Sequence, residues 1–225
     1  MCGRYTITVT FEELLVRFHI DQGSGFHTPR YNIAPMQMVM AVIHGGKNNR
    51  LGELRWGLVP SWAKDEKLAA SMINARAETL SEKPAFKRLV HRKRCIIPSD
   101  GFYEWRRNGK TKEPLRIVMR DREIFGMAGL YDTWMKSDGS KISTCTIITT
   151  TPNELMADIH DRMPVILRPE DEQAWLDRDN PDVLGMLRPY PADKMLAYPV
   201  SPRVGNVKND DEECIKEVSE TSRCG

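Results

Sequence analysis

Residues 2–9 alternate strictly, with Gly3, Tyr5, Ile7 and Val9 on one side and Cys2, Arg4, Thr6 and Thr8 on the other, which is the period of a strand. The alternation ends at Thr10, which with Glu13 makes a Thr-x-x-Glu capping box for a short helix carrying Leu14, Leu15 and Phe18. A glycine-rich loop from Gln22 to Pro29 leads to Arg30-Tyr31-Asn32-Ile33-Ala34-Pro35 and a Met/Val-rich strand over 37–43. His44 to Asn49 reads as a hairpin turn and 51–57 as the returning strand. Further strands are expected near 94–98, 102–106, 115–119, 123–131 and 143–150, and helices near 82–90, 152–158, 170–177 and 181–187. Strands with short helices between them, no internal repeat and no regular βαβ alternation predict one α+β domain over 1–208, with a mostly antiparallel, barrel-like β core. Residues 209–225 are expected to be a flexible acidic tail.

Composition narrows the class. A hydrophobic share of 40% supports a sizeable core, and 28% charged residues of both signs fit neither a fibrous nor a disordered chain. No apolar run approaches the roughly 20 residues that span a bilayer, and the first residues lack the pattern of a signal peptide. The expectation is a soluble cytoplasmic protein. Five cysteines and five histidines are scattered without metal-ligand spacing, so neither a metal nor a cofactor is expected. The net charge of +2 conceals a local bias. Residues 82–122 hold thirteen Lys/Arg against five acids, whereas 209–225 hold six acids against Lys216 and Arg223. Arg92-Lys93-Arg94 and Arg106-Arg107 lie near aromatics able to stack on bases, so the basic middle suits a polyanion.

Four segments carry candidate chemistry. Loss of Met1 would leave Cys2 as an N-terminal 1,2-aminothiol, an amine that forms a Schiff base with an aldehyde and a thiol that closes on it as a five-membered ring. In Met72-Ile-Asn-Ala-Arg-Ala-Glu-Thr79, Asn74 and Arg76 share a face, suited to orienting an amine or carbonyl and to gripping a phosphate. Glu104 in Gly101-Phe-Tyr-Glu-Trp105 has two readings: aromatic neighbours desolvate it and raise its pKa, or Arg106 pairs with it and lowers it. Thr151 and Glu154 read as a capping box for a helix beyond which His160 is placed to move protons.

In order, MCGRY, RYNIAP, LRWGLVPSWAKD, INARAET, RCIIPSDGFYEW, IHDRMPVIL and VSPRVGNVKN resemble the SRAP family, the SOS-response-associated peptidases, over about residues 2–208. The resemblance implies a single α+β domain with a barrel-like core and a basic groove for single-stranded DNA. It implies a covalent thiazolidine crosslink between Cys2 and the ring-opened aldehyde of an abasic site, without a cofactor. Asn74 would orient the amine and sugar, Glu104 would move protons, His160 would assist Schiff-base proton transfer, and Thr149 would line the pocket. Arg4, Arg76 and Arg162 would hold phosphates, and Trp62 and Pro35 would wedge or stack against bases. The implied protein is a monomer acting on abasic DNA, cytoplasmic and nucleoid-associated when bound. Two rivals remain at this level: a cysteine-type peptidase, acting on its own N-terminus, and a noncovalent single-strand-binding module.

Overall fold

The computed structural model describes residues 2–20, 27–45, 48–109 and 111–218. In chain order its elements are β1 (Tyr5–Ile7), α1 (Phe11–Arg17), β2 (Arg30–Ile33), β3 (Met38–His44), β4 (Asn49–Trp56), β5 (Asn74–Arg76), α2 (Pro84–Lys87), α3 (Leu89–Arg92) and β6 (Arg94–Ser99). There follow β7 (Gly101–Asn108), β8 (Thr111–Met119), β9 (Phe125–Met135), β10 (Lys141–Thr150), α4 (Glu154–Ala157), β11 (Met163–Pro164), α5 (Pro169–Leu176) and β12 (Met195–Pro199).

Strands β10, β4, β3, β6 and β9 pair in that order, and β9 pairs again with β10, which closes a five-stranded barrel. Every pairing in the ring is antiparallel except β4–β10, where Thr144 and Cys145 face Arg55 and Trp56 in parallel register. Closure leaves no free edge around the ring. Gly129 is required where β6, β9 and β10 meet, since a Cβ there would come within 2.9 Å of Cys95 Sγ and 3.0 Å of Thr146 O. Strand β5 extends β10 in parallel, with Asn74 beside Ile147 and Arg76 beside Thr149, and β11 pairs with the same end of β10. A second, antiparallel sheet runs β12-β8-β7-β1-β2. One apolar core serves both sheets, and the Tyr5 ring meets Trp56 edge-on at 5.5 Å across them. The α+β class and the mostly antiparallel barrel are thus as read from the sequence.

Local differences have physical reasons. Only Tyr5–Ile7 of the strand expected over 2–9 is regular, and Thr6 is buried like its neighbours. Its hydroxyl joins Asp100 and Arg116 in a buried polar cluster, so alternation does not mark a wet face here. Thr10 and Glu13 form the expected capping box. The helix before His160 is capped by Asn153, whose side chain accepts from Met156 N–H, and not by Thr151. The helix expected over 181–187 is a single 3₁₀ turn at Leu184–Met186, following Pro181. Strand β12 was not read from the sequence. The segment from Asn209, expected as a flexible tail, docks as far as Val218: Asp210 accepts from the Tyr31 and Asn32 amides and pairs with Arg30, and Cys214 is buried. Met1, part of the glycine-rich loop, part of the turn after His44 and residues 219–225 lie outside the described residues.

Candidate active site

Glu104 lies in the middle of β7, flanked by β1 and β8, with Phe102 and Tyr103 fully buried beside it. Its own exposure is 3%, and burial raises its carboxyl above the usual carboxylate range, with the nearby His160 opposing the shift. Arg106 takes Glu113 as partner at 2.7 Å, so of the two readings of Glu104 it is desolvation that holds. Glu104, Trp105, Arg107, Lys112, His160 and Gly205 line a pocket of about 420 Å³.

His160 follows α4, its amide donating to Met156 O at 2.8 Å. Its Nε2 stands 4.0 Å from Glu104 Oε2. The Arg162 amide donates to Nδ1 at 3.1 Å, so the neutral ring carries its proton on Nε2, the nitrogen facing Glu104. Asp161 Oδ1, 2.9 Å from Nδ1, can accept from that nitrogen once the ring is protonated.

Cys2 is completely buried ahead of β1. Tyr103 N–H donates to Arg4 O at 2.9 Å, which lays the N-terminal segment along β7 beside Glu104. Burial, reinforced by the Glu104 charge, pushes the Cys2 thiol far above the ordinary thiol range. Arg4 is turned inward. Its Nη1 donates to Asn32 Oδ1 at 2.8 Å and Val204 O at 2.6 Å, and Nη2 to Gly205 O at 3.1 Å, with the guanidinium 5.9 Å from the Trp105 ring centroid. Asn32, itself fully buried, donates through Nδ2 to the carbonyls of Val204, Asn206 and Asn209. Arg4 and Asn32 therefore lace the chain's first residues to its closing segment.

The remaining residues gather at the end of β10. Asn74 donates to Ile73 O at 3.0 Å, while its Oδ1 is a buried acceptor with no hydrogen-bond partner among the described residues. Arg76 is exposed. Arg162 donates to Thr149 O at 2.6 Å and forks Glu78 at 2.8 and 2.9 Å. Because Arg162 also holds the His160 ring, this corner adjoins the Cys2–Glu104–His160 group. Trp62 and Pro35 are not among the residues lining that pocket. Trp62 is 61% exposed beside Arg88, Arg92 and Lys93 in a separate hollow of about 250 Å³. The basic middle is partly structural: Arg94 is buried against the Trp175, Val90 and Asp177 carbonyls, and Arg116 against Asp100. Sequence reading missed Asn32, Glu78 and Asp161. Only their places inside RYNIAP, INARAET and IHDRMP could have marked them. No group of three or more His, Cys, Asp or Glu able to hold a metal exists among the described residues, and no helix there is long and apolar enough to cross a membrane.

A closed barrel beside which a desolvated glutamate and a histidine share one pocket, with the buried Cys2 segment laid along the glutamate's strand, defines a class. The chain belongs to the family described as SOS response associated peptidase (SRAP), whose family model matches residues 1–207. It is 54% identical over 222 residues to the abasic site processing protein YoqW of Bacillus subtilis, covering 96% of this chain and 99% of that one. It is 31% identical to the abasic site processing protein YedK of Escherichia coli, covering 97% and 100% of the two chains. The crystal structure of a protein from Bacteroides thetaiotaomicron superposes with a TM-score of 0.90 at 29% identity, covering 97% and 100%.

Proposed function

We propose that this protein processes abasic sites in single-stranded DNA by forming a thiazolidine crosslink through Cys2, after Met1 has been removed. The observation that carries the reading is one buried carboxyl, Glu104, facing both the Cys2 segment and His160. Its raised pKa suits a group that both gives and takes protons.

The chemistry balances with these groups. Glu104, protonated, gives its proton to the ring oxygen of the abasic hemiacetal while its other carboxyl oxygen takes the proton of the anomeric hydroxyl, and the sugar opens to its aldehyde. The Cys2 amine attacks that carbon, and the carbinolamine loses water to an imine: His160 in its imidazolium form, Nδ1–H held by Asp161, gives the Nε2 proton to the leaving hydroxyl and takes back the proton that the nitrogen sheds. The Cys2 thiol then adds to the imine carbon, its proton passing by way of Glu104 to the amine nitrogen, and the ring closes with one water released overall. A thiol held in its neutral form by burial fits this order, amine first and sulfur second. It does not fit a peptidase whose first step needs a thiolate. Asn74 Oδ1, a buried acceptor, suits the N–H of the Cys2 amine. Ring closure is intramolecular, an advantage of several kcal/mol. Phosphate contacts by Arg76, and by Arg162 once Glu78 gives way, would bind without regard to sequence, and selectivity would come from the aldehyde that an intact nucleotide lacks.

The test is intact-mass spectrometry and denaturing gels after incubation with an abasic oligonucleotide, an intact one and casein. The expected result is a one-to-one covalent adduct with the abasic strand, minus one water and minus Met1, and no cleavage of casein. Proteolysis without an adduct would overturn it.

A further inference from the structure

The proposed reaction makes no use of Glu78. It reaches Arg162 from the 3₁₀ turn Ala77–Thr79, which directly follows Arg76. Its two carboxylate oxygens meet Nη1 and Nη2 at 2.8 and 2.9 Å, and Nη2 also donates to Thr149 O. That terminal edge is one with which a guanidinium grips a phosphate bidentately. The Arg162 side chain is 12% exposed and that of Glu78 46%, so a nearly buried cation is capped on its outer side by a carboxylate reaching solvent. The fork with Arg162, and Arg76 nearby, hold that carboxyl ionised, below the ordinary range.

We propose that Glu78 is a resident phosphate mimic, occupying the anion-gripping edge of Arg162 so that a DNA phosphate binds there only by displacing it. The inference deepens the DNA reading above and rests on it. Displacing a carboxylate gains little net attraction, because the freed charge repels the strand. Arg162 therefore adds little to the affinity for intact single strands, which rests on the other basic groups.

The test measures binding of an intact single-stranded oligonucleotide by fluorescence anisotropy, over roughly 50 to 200 mM salt. The parent is compared with Glu78→Gln, Glu78→Asp, Arg162→Ala and the Glu78→Gln/Arg162→Ala double variant. Glu78→Gln keeps the side chain's shape and one hydrogen bond, and its folding is checked by thermal melting. It is expected to bind several-fold tighter at low salt, with a log K against log salt slope steeper by about 0.7, the contribution of one phosphate contact on a single strand. The gain is expected to vanish in the double variant, as a coupled pair requires, and Glu78→Asp is expected to bind like the parent. An unchanged slope in Glu78→Gln, weaker binding by it, a gain that survives loss of Arg162, or Glu78→Asp binding as tightly as Glu78→Gln would each overturn the proposal. A parent with no affinity for the strand would overturn the DNA reading and this inference with it. That result is distinct from failure of the Glu78 role alone, where the parent binds and removing the charge changes nothing.

Discussion

His160 Nε2 faces Glu104 Oε2 across 4.0 Å, the histidine from the turn after α4 and the glutamate from the middle of β7. The gap exceeds a hydrogen bond, yet an oxygen atom about 2.8 Å from both fits at its apex. In the proposed reaction, one substrate atom placed there is reached by two side chains from two independent elements.

Replacing Glu104 by Gln is expected to slow adduct formation about 100-fold or more, the usual worth of a general acid–base group, while leaving affinity for intact single strands within about twofold. Single-turnover rates on denaturing gels and anisotropy separate the two. A variant that reacts normally once bound, but binds poorly, contradicts the assignment.

The same substitution has a thermodynamic signature. Because burial raises the Glu104 pKa, the native state binds a proton that the unfolded chain has already lost in the window between the two values. The resulting stability is full below the unfolded value and disappears as pH rises through the folded one. Above that window the fold carries a costly buried charge. Glu104→Gln is expected to raise the melting temperature near pH 8 and to leave it unchanged near pH 4. Equal effects at both pH values would place the charge elsewhere.

Cys2→Ala is expected to abolish the adduct that survives denaturation while retaining noncovalent binding. Cys2→Ser is expected to give only a labile product, since a hydroxyl closes the five-membered ring far less readily than sulfur. Stability of the product to heat and hydroxylamine distinguishes a ring from an imine.

Asp100 and Arg116 form a buried pair at 3.3 Å, with side-chain exposures of 9% and 7%, and Thr6 and Thr8 donate to the same carboxylate. Asp100→Ala leaves a buried guanidinium uncompensated and is expected to cost about 3–5 kcal/mol in urea denaturation. Since the pair anchors β1, residual folded protein is also expected to react more slowly.

Much of this was legible from residue order, for reasons that differ by element. The Thr10–Glu13 cap and the long strands β7 to β10 follow from local signals, and local signals are what a sequence displays. The desolvation of Glu104 was readable only as one of two options, because Arg106 is two positions away on the same strand face and its actual partner Glu113 is across a strand pair. The segment after Asn209 read as free because its acids lack periodicity, and what holds it is complementarity to Arg30 and to backbone amides of β2. The partners of Arg4 and Arg162 were not legible, because nothing in a linear string shows Val204 O or the Glu78 carboxylate, 200 and 84 positions away.

The bond from Arg4 to the Val204 carbonyl joins positions 200 apart. During synthesis on the ribosome, Arg4 emerges long before the segment that ties it down. A chain that stops short of Val204 therefore leaves Arg4 without this tie, so the segment carrying Cys2 is fixed by a long-range closure and not by its own neighbours.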